Sequence, residues 1–345
     1  MYSRNILSKI NEESKNVLRV QSIADNDVIH VTLYSETVER YVLKNFETLK
    51  CVLLKLQFDS IVINSLVGYR NSIEILDLIS IIKRRNGGIC VQFNLHDFQC
   101  ICPSFNLFGS NNRYCGLNLA LCNKCFPAIN LSENKQIRNI LMSGASDINR
   151  WRQKWRDFLH LYCDRVMIFS NNSRELLLKV YPELENKIDI VPHDIPAIRK
   201  PKVGKHFGVN VAFLGNINNK QKGYFIVEDC LKFGLENGEV SFFVIGECPN
   251  IKFEGVTGKY NIFNLPDIIE NLEIDIVIIP SIWPETFSYT TSEAIQMGVP
   301  VACFDYGAQA EKVKPYSKGL ILLSERPEDI VREIIKYLKC KKFKD

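Results

Sequence analysis

The sequence predicts an α/β protein of two doubly wound domains, each built on a mainly parallel sheet, with the N-terminal one abbreviated or modified. Three observations predict it. Apolar runs of strand length alternate with longer stretches of helical period along most of the chain. At 345 residues the chain exceeds the size at which a single core usually keeps growing. The alternation stops once, at PAIRKPKVGKH (196–206), which has two prolines and no apolar period, and then restarts. The expected organisation is therefore a domain over 1–195, a linker over 196–206, a second domain over 207–330, and a C-terminal helix and tail over 331–345.

Each element follows from its own pattern. Within residues 1–57, HVTLYSETVERYVL alternates like an exposed strand pair and reads as a modified entry to the first sheet. DSIVINSLV (59–67) is a strand, SIEILDLISIIKRR (72–85) a helix closed by Gly87 and Gly88, and GGICVQFNLHD (87–97) the next strand. After a cysteine-rich loop over 100–126 come the helix DINRWRQKWRDFLHLYC (147–163) and the strand DRVMIFSN (164–171). The helix SRELLLKVYP (173–182), with Ser173 as its N-cap and Pro182 at its end, leads to the strand IDIVPHDI (188–195). The second half repeats the scheme. Its strands are VNVAFLGNI (209–217), EVSFFVIGE (239–247), IDIVIIPSI (274–282) and VPVACFDYG (299–307). Helices are expected at 223–236, 265–272, 290–298 and from about 327.

Composition excludes several classes. With 46% hydrophobic and 24% charged residues, and no unbroken run of eighteen apolar residues, the pattern is that of a globular protein without a membrane helix. The start, MYSRNILSKINEESKN, has no apolar core before a small-residue cleavage site, so the cytoplasm is the expected location. A net charge of +4 does not point to nucleic acid. The tail KYLKCKKFKD gathers Lys336, Lys339, Lys341, Lys342 and Lys344, a solvated helix end or a peripheral contact with the inner face of a membrane.

In doubly wound sheets ligands sit beyond the carboxyl ends of the strands, where glycines admit a phosphate and helix N-termini supply positive potential. FLGNINNKQKGY is one such end. Gly215 closes a strand, Asn216 follows, and Lys222-Gly223 opens a helix, so that a lysine can meet a diphosphate. A second is PSIWPETFSYTTSEAIQMGVPVACFDYG (280–307), in which Glu285 and Glu293 are separated by seven residues. Glu293 is expected in the first turn of a helix starting near Thr290, and Glu285 in a strand-end loop where a carboxylate suits sugar hydroxyls.

The second stretch resembles the donor-binding signature of family 4 retaining glycosyltransferases, which have the GT-B fold: two Rossmann-like domains facing a cleft. Glu285, Glu293, Gly298, Pro300 and Val301 fall in its register. The resemblance implies that Glu293 bonds the ribose hydroxyls of a nucleotide. It also implies that Glu285, with the backbone of Phe287, Ser288 and Tyr289, holds the donor sugar. The family has glycine where this chain has Ser288, and an arginine where it has Asn216, which leaves Lys220 or Lys259 to supply charge beside Lys222. His96, ending the strand of LHDF, matches a histidine that faces the donor sugar, with Asp97 as its orienting neighbour. His193 is a further candidate, in the cleft or as a hinge. The first domain becomes the acceptor side, where Arg113 and Tyr114 are candidate contacts.

The resemblance implies sugar transfer from a nucleoside diphosphate sugar to a glycan or lipid-linked acceptor, in surface polysaccharide synthesis of the O-antigen or capsule type, with no catalytic metal. Alternatives are an epimerase or glycogen-synthase-like relative, and a catalytically silent nucleotide-sugar or glycan-binding module of a larger multidomain transferase. In CPSFNLFGSNNRYCGLNLALCNKC, Cys102, Cys115, Cys122 and Cys125 end in a C-x2-C knuckle, the spacing of a closed structural zinc site, with Cys100 as a spare. Reduced thiols or a partial disulfide are the other readings of these cysteines. A loop of this kind occurs in a subgroup of the resembled family that builds bacterial surface glycans.

Overall fold

The computed structural model describes residues 16–342 apart from 24–25, 112, 131–146, 205 and 250. Lys344 lies outside the described residues, as do the side chains of Lys341 and Lys342. Two compact units are present. The first comprises residues 1–110, 116–168 and 176–193, and the second 111–115, 169–175 and 194–345.

The first unit holds two sheets. β1 (Val17–Ile23), β2 (Asn26–Tyr34) and β3 (Val38–Leu43) form an antiparallel meander of their own, followed by α1 (Phe46–Leu53). Ile29, Val31 and Leu49 are buried between this small sheet and α1. The expected strand pair is thus two strands of a separate three-stranded sheet rather than the entry to the parallel one. Tyr69 Oη donates to Val20 O (2.8 Å), tying it to the loop ahead of the next helix.

The parallel sheet consists of β4 (Ser60–Ile63), β5 (Cys90–Asn94), β6 (Arg165–Ile168) and β7 (Ile188–Ile190), in that spatial order. Between its strands run α2 (Ser72–Arg85), α3 (Cys122–Asn130), α4 (Ile148–Leu161) and α5 (Asn171–Leu178). Asp147 caps α4 by accepting from the Arg150 amide (2.8 Å), and the helix buries Trp151 and Trp155, the latter 5.5 Å from the Phe93 ring. α5 begins earlier than expected: Ser170 Oγ accepts from the Ser173 amide, so Ser170 does the capping assigned to Ser173. Pro182 opens a 3-10 turn rather than ending α5.

The second unit is one five-stranded parallel sheet in the order β12–β11–β10–β8–β9. Its strands are β8 (Asn210–Leu214), β9 (Ser241–Ile245), β10 (Ile276–Ile279), β11 (Val301–Phe304) and β12 (Gly319–Leu322). β10 and β11 are buried at every position, as strands covered on both faces must be. The helices are α6 (Tyr224–Asn237), α7 (Leu265–Asn271), α8 (Tyr289–Met297), α9 (Gly307–Val313) and α10 (Pro327–Lys342). α10 starts ahead of the expected tail and buries Ile330, Val331 and Ile334. Neither α9 nor β12 was expected.

The stretch read as a linker falls within the second unit. Ile198 is buried in its core with Ile195 and Val203 against it, and Arg199 binds Asp267 and Glu270 of α7. Among the described residues no helix is long and apolar enough to cross a membrane.

Candidate functional site

The chain runs from β8 to β9 on one side and then crosses to place β10 on the other side of β8. The strand order therefore reverses between β8 and β10, and the crevice outside their carboxyl ends is where doubly wound sheets take ligands. Gly215 (φ +129°) stands at the end of β8 with its amide bonded to Ile245 O (3.0 Å), and the segment from Pro280 to Ser288 leaves the end of β10.

Between β8 and α6 the chain folds into a 3-10 turn, Lys220–Lys222, whose N-cap Asn219 accepts from the Lys222 amide (3.0 Å). Gly223 follows with φ +74°, and a Cβ there would overlap the Pro280 carbonyl, so only glycine lets this turn rest on the end of β10. The packing brings Lys222 Nζ to 2.5 Å from Glu285 Oε1 and 5.8 Å from the Trp283 ring centre. Ser281 Oγ donates to the same carboxylate oxygen (2.5 Å). Burial by itself would push the Glu285 carboxyl up. The Lys222 charge and hydrogen bonds from Lys222, Ser281 and Ser288 outweigh it and hold the group below the ordinary carboxylate range. Trp283 Nε1 is a buried donor with no acceptor among the described residues.

α9 braces this loop. Gln309 accepts from the Glu285 amide (3.2 Å) and donates to Trp283 O (2.7 Å), while the Ala308 amide donates to Glu285 O (2.9 Å). A Cβ on Gly307 would overlap Pro284 and the Glu285 amide, which explains a glycine at the start of this helix.

Beyond Glu285, Ser288 sits in the left-handed region at φ +61°, ψ +89°, at the N-cap of α8. This conformation is the physical reason that a glycine is favoured at the position. Its Oγ lies 2.8 Å from Thr291 Oγ1, and the Phe287 and Tyr289 rings meet edge to face at 4.9 Å. Counting from Ser288, Glu293 falls in the second turn of α8 rather than the first, so a helix-start charge preference does not account for it. It is buried, which raises its pKa, and accepts a hydrogen bond from Tyr260 Oη (3.1 Å).

Asn216 is exposed, and Lys259 is engaged by Glu247 at 3.5 Å. Tyr260, Ser281, Gln309 and Lys312 are site neighbours that sequence reasoning did not single out. Of these, only Ser281 has a local sequence signal, four residues before Glu285.

In the first unit, His96 follows the central strand β5. Its ring stacks on His193 at 5.6 Å, and burial, followed by the neighbouring His193, lowers its pKa to about 4. Asp97 is bound by Ser65 Oγ (2.6 Å) and the Gln99 amide (2.9 Å), and burial, only partly offset by these bonds, pushes its carboxyl up to about 6. His193 thus lies against His96. Arg113 and Tyr114 belong to the second unit, where Arg113 pairs with Glu325 (3.4 Å) and Tyr114 meets Tyr306 edge-on at 5.6 Å.

Cys102, Cys115, Cys122 and Cys125, the cysteines of the expected zinc site, are each partly buried. Among the described residues no group of three or more His, Cys, Asp or Glu is preassembled as a metal site. None of the four forms a disulfide. Cys122 and Cys125 stand in the first turn of helix α3. The Cys122 thiol donates to Asn118 O (3.6 Å) and accepts from the Arg152 guanidinium (3.2 Å).

Comparison with known proteins bears on the second unit and on the fold. Residues 255–345 match the family model described as Glycosyl transferases group 1. No curated protein sequence matches the chain. Among solved structures, the chain is similar to Anabaena Alr3699/HepE in complex with UDP-glucose, with a TM-score of 0.54 and 14% identity over 85% of this chain and 72% of that one. HepE in complex with UDP and glucose gives 0.53 and 14% over the same shares. Sucrose-phosphate synthase from Thermosynechococcus elongatus gives 0.53 and 14%, over 85% of this chain and 67% of that one. The chain thus has the α/β fold of GT-B glycosyltransferases, and its C-terminal stretch matches a glycosyltransferase family model.

Proposed function

We propose that this chain transfers a sugar from a nucleoside diphosphate sugar to an acceptor hydroxyl, with retention of configuration at the anomeric carbon. The observation that carries the reading is the Lys222–Glu285 pair, a cation and a carboxylate 2.5 Å apart at the reversal of strand order. In the proposed reaction the bond from the anomeric carbon to the diphosphate oxygen breaks, and the acceptor oxygen bonds that carbon on the same face. The acceptor proton passes to the departing phosphate.

Each group then has a task. Lys222 leaves Glu285 to meet the diphosphate, where its charge and the amides opening α6 stabilise the leaving group. Glu285, released, accepts from sugar hydroxyls, and the unused Trp283 N–H is a donor for the same ligand. Glu293 takes the ribose hydroxyls in place of the Tyr260 bond. His96 keeps the donor-sugar role that the resemblance implies, and no catalytic metal is part of the reading.

The acceptor is read as a glycan or a lipid-linked glycan of a surface polysaccharide, and the place of action as the cytoplasm or the inner face of the membrane. HepE, a structural neighbour, has been captured with UDP-glucose, which supports a nucleotide-sugar ligand for this fold. The strained Ser288 favours one second reading, a module that binds the donor without turning it over. Thermal unfolding against a panel of nucleotide sugars tests the proposal. A ligand at roughly 100 times its Kd adds about 2.7 kcal/mol, and this shift should fall by about half or more at the same ligand concentration in Lys222→Ala. No shift with any nucleotide sugar would overturn the reading.

A further inference from the structure

Lys312, on α9, has no part in the contacts assigned above, yet its ammonium is committed to the donor loop. Nζ donates to Phe287 O (2.5 Å), Ser288 O (3.3 Å) and Ser292 Oγ (2.6 Å), so its three protons meet three oxygens of one segment. It also lies over the Phe287 ring, 3.3 Å from the centroid. Ser292 Oγ in turn donates to Ser288 O (3.2 Å), so the carbonyl of the left-handed residue is gripped from two side chains.

The location is costly for a cation. It sits against the N-terminal end of α8, where the helix dipole is positive, and burial lowers its pKa to about 8 despite the opposing charges of Glu285 and Glu311. An apolar residue would avoid this cost, so the arrangement calls for a compensating role. The oxygens that Lys312 binds indicate which. They belong to the residues on which the chain departs into a backbone conformation that serine disfavours.

We propose that Lys312 is a positioning residue whose ammonium clamps the left-handed Ser288 turn and thereby aims the Phe287–Tyr289 backbone at the donor sugar. The clamp stands on the geometry alone; its consequence for transfer rests on the donor-site reading. The turn and its lysine form a compensating pair: serine needs a clamp where glycine would not.

The test compares the full chain with Lys312→Met, Ser288→Gly, the double variant and Lys312→Arg. Three quantities are read: hydrogen exchange over residues 286–292 without ligand, kcat/KM with the nucleotide sugar that the thermal panel selects, and the Kd of the sugar-free nucleoside diphosphate. Lys312→Met should raise exchange and lower kcat/KM by about tenfold each, the scale of a lost charge-assisted hydrogen bond, while binding of the sugar-free nucleoside diphosphate stays unchanged. Ser288→Gly in the Lys312→Met background should restore most of both, and Lys312→Arg should restore part. Unchanged exchange in Lys312→Met, or no recovery with Ser288→Gly, overturns the clamp. If Lys312→Met fails to fold, Lys312→Gln is read by the same criteria. Failure of the wild type to turn over any nucleotide sugar counts against the donor reading, and the exchange results still decide the clamp.

Discussion

Replacing Glu285 with glutamine should tighten the binding of a nucleoside diphosphate that carries no sugar, although Glu285 is itself read as a donor-site group. In the unliganded chain Lys222 Nζ is held 2.5 Å from the Glu285 carboxylate, which is buried, while the Lys222 side chain is 34% exposed. A diphosphate must draw that ammonium away. A hydrogen bond to a charged group contributes about 1.5–3 kcal/mol net, a factor of about 10 to 150 in affinity. Because Lys222 is partly solvated, screening places the expected gain near the lower end, about tenfold. Glutamine keeps the shape and can still accept from Ser281 Oγ, so the perturbation removes charge and leaves packing intact. Isothermal titration of wild type and Glu285→Gln with the same nucleoside diphosphate reads the difference, and turnover of the nucleotide sugar should fall in the same variant. Unchanged or weaker diphosphate binding by Glu285→Gln would refute the idea that the pair masks Lys222.

Three further outcomes are expected. Gly223→Ala places a Cβ against the Pro280 carbonyl at a left-handed position, so it should destabilise by about 2–4 kcal/mol in denaturant unfolding and weaken diphosphate binding. Asp97→Asn should stabilise the protein above pH 6. The folded carboxyl is raised to about 6 against roughly 3.9 unfolded, so the wild type loses stability as pH rises between these values. The gain, up to about 3 kcal/mol, should shrink as pH falls through 6 and vanish near 4 in melts at stepped pH. For Cys102, Cys115, Cys122 and Cys125 the zinc proposal expects about one zinc per chain in protein purified without chelator, and none would overturn it.

Much of the fold was legible because buried parallel strands are written as short apolar runs. IDIVIIP and VPVACF can be read as strands by inspection, and β10 and β11 lie within them. Strand ends were overestimated where Gly, Pro or His follow the apolar run, as in GGICVQFNLHD, of which only Cys90–Asn94 pairs. α9 was missed because most of its buried positions are Gly307, Ala308, Gln309 and Ala310, which mark no apolar face, and β12 because it is an edge strand only partly buried at three of its four positions. The packing of Ile195, Ile198 and Val203 on the second unit was not legible because these apolar residues follow no repeat.

The site divided along similar lines. Glu285, Lys222 and Gly223 were marked by their places at strand and helix ends, but the pairing of Lys222 with a residue 63 positions away is set by the reversal of strand order, which local patterns do not encode. Lys312 and Tyr260 reach Ser288 and Glu293 only through tertiary packing.

The central claim is tested most directly by following the anomeric proton by NMR while the intact chain acts on a nucleotide sugar and a glycan acceptor. The account predicts a new glycosidic bond with the donor's anomeric configuration, formed by the wild type and not by Glu285→Ala. An inverted product, or equal activity in Glu285→Ala, would contradict it.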